Sequence, residues 1–193
     1  MSLADQWRTS FFDTVQRSEY AGRLKNASQR NANTQWTQTL TDVVVTVCES
    51  QSYIAAARGH KLQFLPESRS EYLGIDVIGF EKSMRPWSFP IVAVELENSR
   101  KDDRIGYSLW KVLNLHTKLR IVFCYRPSSD SGPDLVNFLE NNIIDSLGIH
   151  DRLALDGETL VVMGYRNKSE TFPYGFFKWW KLELNTGKFE TIR

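Results

Sequence analysis

Apolar residues recur at helical spacing at the start of the chain. Leu3, Trp7, Phe11, Phe12 and Val15 predict a first helix. Polar residues then crowd in, and Gly22, Asn26, Ser28, Gln29, Asn31 and Asn33 predict a link over 22–33. Trp36, Leu40, Val43, Val44 and Val47 share one helical face, capped at Asn33 or Thr34 and continuing to about Ala57, near Gly59. From there the period changes. Lys61 to Leu65, 71–80 and 89–97 are apolar runs of strand length. The link from Gly79 to Trp87 is too short for a crossover helix, so the second and third runs should form an antiparallel hairpin.

Ser99 followed by Asp102 suggests a capped helix to about His116, with Ile105, Leu109, Val112 and Leu113 inward and Arg104, Ser108 and Lys111 on another face. Leu119 to Tyr125 reads as a buried strand, parallel to 89–97 because a helix separates the two. Ser131-Gly132-Pro133-Asp134 opens a helix ending at Gly148. Thr159 to Tyr165 is a strand, and 176–184 with 188–192 closes the chain as a hairpin around Asn185-Thr186-Gly187. The expectation is an α/β (α+β) fold with a mixed central sheet flanked by helices. No linker divides the chain, so 1–193 reads as one domain: an N-terminal helical extension (1–33), a core (34–126), and a C-terminal helix with strands (127–193).

Acids interrupt these apolar runs. Asp76 lies in the second strand, and Glu95 and Glu97 end the third. Alternate strand residues share a face, ~7 Å apart, so Glu95 and Glu97 point the same way and pairing brings Asp76 to them. Carboxylates gathered at a sheet edge repel one another unless a cation sits among them. The plainer reading is a solvated strand end, its acids paired with Arg100, Lys101 or Arg104.

Composition adds exclusions. A formal net charge of +1 leaves no global basic signal, so any nucleic-acid surface must be local. Cys48 and Cys124 lie within apolar runs and read as buried small hydrophobes in a reducing compartment. No signal-peptide pattern opens the chain and no apolar run approaches ~18 residues, so a soluble, cytoplasmic protein without a membrane partner is expected. His60, His116 and His150 lack ligand spacing, and no glycine-rich phosphate loop or G-x-S-x-G elbow is present. Phe176, Phe177, Lys178, Trp179, Trp180 and Lys181 interleave aromatics with bases. One face of that strand must be core, which is favoured over a base-stacking platform.

The order helix, three strands, helix, strand over 34–126, with Asp76 on the second strand and Glu95-Leu96-Glu97 on the third, resembles the PD-(D/E)XK nucleases of restriction-endonuclease-like fold. The resemblance covers about half the chain. It implies magnesium-dependent (or manganese-dependent) phosphodiester hydrolysis of nucleic acid, in DNA restriction, repair or mobile-element processing. Asp76 and Glu95 match the metal ligands. Glu97 stands where most of the family has Lys, although some members carry Glu there, and it would orient or deprotonate the attacking water. Lys111 is the candidate for the missing cation near the phosphate, and Glu49 on the first core helix is a further acid. Arg100, Lys101 and Arg104 would contact the nucleic-acid backbone. DNA is the implied partner, and a homodimer the form in which many such nucleases cut two strands. The alternative is a catalytically inactive module on the same fold that binds nucleic acid or protein.

Overall fold

The computed structural model describes residues 1–63, 65–82 and 86–192. Its element order is α1 (Leu3–Val15), α2 (Ser18–Gln29), α3 (Asn33–Ser50), β1 (Tyr53–Ala57), β2 (Val77–Glu81), β3 (Pro90–Leu96), α4 (Asp102–Leu113), β4 (Leu119–Arg126), α5 (Gly132–Leu139), α6 (Ile149–Leu153), β5 (Glu158–Tyr165), β6 (Phe177–Glu183) and β7 (Lys188–Ile192). The fold is α/β, with one mixed sheet in the order β1-β2-β3-β4-β5-β6-β7, so every strand pairs with its neighbour in sequence. β2 runs antiparallel to β1 and β3, β3 to β5 are parallel, and β6 and β7 return antiparallel. The two parallel joins are the two crossovers carrying α4 and α5, as parallel pairing demands.

Strand alternation sorts the core into two layers. Val92, Val94, Ile121, Phe123 and Val162 face α1, α2 and α3. Ala93, Val122, Cys124, Val161 and Met163 face α4 and α5. The inner face of α1 reaches far along the chain: Phe11 lies 5.1 Å from Phe177 and 5.2 Å from Trp179, and the Ala4 amide donates to Glu158 at 2.8 Å.

Several expectations are corrected. Residues 18–29 form α2, not a link, because Leu24 and Ala27 dock on the α1–α3 layer while the polar residues stay outside. A stripe that narrow carries little periodicity. α3 stops at Ser50, since Ser52 takes a φ of 65° and turns the chain into β1. Ala55, Ala56 and Ala57, good helix formers, are thus strand residues, held by pairing with β2. The expected strand at Lys61–Leu65 does not form at 61–63 or 65, and Phe64 lies outside the described residues. β2 begins at Val77, so 71–76 leads into the strand. Lys101, not Ser99, caps α4, and no side chain caps the helix; Ser99 Oγ instead accepts from the Lys101 amide. Past Leu139 the helix widens into a π turn over Glu140–Ile144, and α6 follows Gly148. Cys48 and Cys124 are free and buried, as expected.

Candidate functional site

The β2–β3 pairing matches Val77 with Val94, so one step further Asp76 stands opposite Glu95. The Leu96 amide donates to Asp76 Oδ2 at 2.7 Å, tying the start of β2 to the end of β3. Glu95 lies on the α4 face of the sheet, where the amphipathic helix brings Lys111 over it: Lys111 Nζ is 2.8 Å from Glu95 Oε2 and also donates to the Gly74 carbonyl at 2.7 Å. Three residues singled out in the sequence, Asp76, Glu95 and Lys111, therefore meet.

Glu95 is not the solvated end of a strand. Its residue is only 4% exposed, its partner is Lys111 rather than Arg100, Lys101 or Arg104, and its Oε1 is buried without a well-formed hydrogen bond among the described residues. Burial pushes its carboxyl up to about 7, with the nearby Asp76 charge adding and the Lys111 hydrogen bond opposing. Asp76 is also raised, chiefly by burial, against the Leu96 amide and the Lys111 charge. Two carboxyls whose charge is disfavoured, side by side, make a place where a cation is welcome.

Glu97 follows the end of β3, and its Oε1 accepts from the Ser99 amide at 2.6 Å, shaping the turn into α4. It stays within electrostatic reach of Asp76, whose carboxyl it helps to raise. Glu49 is exposed on α3. Among the described residues, no group of three or more His, Cys, Asp or Glu is arranged to hold a metal.

Asp76 opens on a cleft of about 750 Å³ between the first half of α3 and the loops after β1 and β3. Thr37, Gln38, Arg58, Glu71 and Asn98 also line it, and the Asn98 amide nitrogen donates to Thr37 Oγ1 at 2.7 Å. The cleft lies by the carboxyl end of the parallel strand β3, the edge at which open α/β sheets take their ligands.

The structure keeps only some of the basic residues that follow β3 on the surface. Arg100, Lys101 and Arg104 are exposed. Arg120 is buried, its guanidinium donating to the carbonyls of Val112, Leu115 and Asp156 at 3.2, 2.8 and 2.7 Å, so it is structural. Lys118 pairs with Asp156. Arg126, unremarked in the sequence, is buried behind Arg100 and holds Asp102 in an ion pair. On β6, Phe177 and Trp179 are buried, as is the adjoining Phe176, which gives that run to the core. Among the described residues no helix is long and apolar enough to cross a membrane.

Compared with known proteins, the chain matches no family model, no curated protein and no solved structure.

Proposed function

We propose that the chain is a magnesium-dependent nuclease of the PD-(D/E)XK type. The observation that carries this reading is the meeting of Asp76 and Glu95 at the end of two antiparallel strands, with Lys111 on Glu95 and a polar cleft in front. The element order α3-β1-β2-β3-α4-β4 also supports it. Two carboxylates, one with a buried oxygen lacking a well-formed hydrogen bond among the described residues, fit magnesium, which is held by one or two carboxylates and keeps its waters. Asp76 and Glu95 would hold the ion; manganese would serve in its place. When bound, it supplies charge to the phosphate oxygens and lowers the pKa of a water.

The chain's own residues do the rest. Lys111 positions Glu95 and brings a positive charge close to where the phosphate would develop negative charge. Glu97 would orient or deprotonate the water, turning from the Ser99 amide to do so. Arg100, Lys101 and Arg104 hold the nucleic-acid backbone. The test is incubation with DNA and RNA in magnesium or manganese. Cleavage lost in Asp76→Ala and Glu95→Gln supports the reading; absence of such cleavage counts against it.

One observation favours a second reading, an inactive module that binds nucleic acid or protein. Lys111 already occupies one Glu95 oxygen, and Glu97 is engaged with Ser99. That reading expects no divalent-metal binding by calorimetry. Micromolar to low-millimolar binding, lost in Asp76→Ala, would sink it.

A further inference from the structure

Of the aromatic residues left open to solvent, which include Trp87, Phe89 and Tyr174, two lie side by side on α4 next to the carboxylate site. Tyr107 is 56% exposed and Trp110 51% exposed, and their rings stack with centroids 6.0 Å apart and planes 23° apart. Helical spacing puts Arg104 one turn before Tyr107 and Lys111 one turn after it, so cations and rings alternate along this outer face. Lys111 Nζ is 6.0 Å from the Tyr107 ring centroid and 2.8 Å from Glu95 Oε2, so the aromatic step begins beside the carboxylates.

We infer that Tyr107 and Trp110 form a stacking platform for the unpaired bases of a single-stranded nucleic acid running past the Asp76–Glu95 site. As a statement of substrate class, this rests on the nuclease reading. Ring faces attract bases of any kind, and stacking needs bases that are not already paired within a duplex. Charge selects nucleic acid over an apolar partner. Arg100, Lys101 and Arg104 are exposed at the start of α4, Asp102 there is neutralised by Arg126, and Asp103 is the one opposing charge in the helix's first turn. A helix prepared for a second copy of the chain would lose by ringing its aromatics with like charges.

The experiment measures binding, not cleavage. A labelled oligothymidylate and a duplex of the same length are titrated by fluorescence anisotropy, in chelator, with the Asp76→Ala protein. Tyr107→Ala and Trp110→Ala should each weaken single-strand binding at least about fivefold and leave duplex binding unchanged. Tyr107→Phe and Trp110→Phe keep a ring and should bind as the parent does. Circular dichroism checks folding; should an alanine variant unfold, replacement by Gln at the same half-exposed position decides. Equal single-strand binding with and without the rings overturns the inference. So does sedimentation showing that the rings drive self-association while the oligomer goes unbound. Ring-dependent binding without cleavage in magnesium leaves the platform standing and removes the nuclease. Cleavage with ring-independent binding does the reverse.

Discussion

Two regions of this molecule bury a glutamate, and they treat it in opposite ways. Where the π turn meets β7, Glu140 is 6% exposed, and both its oxygens are used: Oε1 accepts from the Phe189 amide at 2.7 Å and Oε2 meets Lys188 at 3.1 Å. Where β3 meets α4, Glu95 is as deeply buried, yet one oxygen meets Lys111 and the other lacks a well-formed hydrogen bond among the described residues. A buried charge that is fully hydrogen-bonded is part of the architecture. One left half-satisfied beside a second carboxyl is costly, and such cost gathers where a ligand will relieve it. Arg120, closed around by three carbonyls, belongs with Glu140.

The contrast breaks most visibly in activity. Asp76→Ala and Glu95→Gln should each lower magnesium-dependent cleavage by at least ~100-fold, whereas Glu140→Gln should leave it nearly intact; parallel rate measurements on one substrate decide.

Acid and base come next. Glu95 is held at about 7 against an ordinary value near 4.5, so the folded chain takes up this proton more readily than the unfolded one. Its contribution to stability is fully present below about pH 4.5 and is lost as pH rises through 7. Asp76, shifted in the same direction, adds to the trend. Urea unfolding in chelator should show a decline of up to about 3 kcal/mol across that window, most of it gone in Glu95→Gln. A flat profile in the parent chain would remove the claim that Glu95 is strained.

Smaller again is the cost of dismantling the satisfied site. Glu140→Ala orphans the buried Phe189 amide and should destabilise by about 2 kcal/mol, while Glu95→Gln in metal-free buffer at pH 8 should be neutral or stabilising. The least effect belongs to Glu97→Gln, whose carbonyl still accepts from Ser99. Thermal unfolding should place it within about 0.5 kcal/mol of the parent, so that any loss of cleavage there reports chemistry rather than folding.

The hairpin register and the alternation of side chains were enough to bring Asp76 to Glu95, because both are local rules applied to a short link. Lys111 could be named from its helix face. Its contact with Glu95 depends on how closely α4 packs on the sheet, which no local pattern encodes. Burial was the hardest quantity to foresee. Arg120 and Arg126 carry charge yet are enclosed by the packing, while Tyr107 and Trp110 are aromatic yet stand open on the outside of α4. β1 was missed for a related reason: three alanines adopt whatever the neighbouring strand imposes.

The sheet's strict sequence order carries a lesson about how the chain comes off the ribosome. Each strand can dock on the one made just before it, so the growing sheet never waits for a distant partner. The first helix is the exception. Phe11 belongs under β6, against Phe177 and Trp179, and the Ala4 amide belongs to Glu158 on β5. Until β5 and β6 have been made, α1 lacks the partners that its Phe11 ring and Ala4 amide meet in the finished fold.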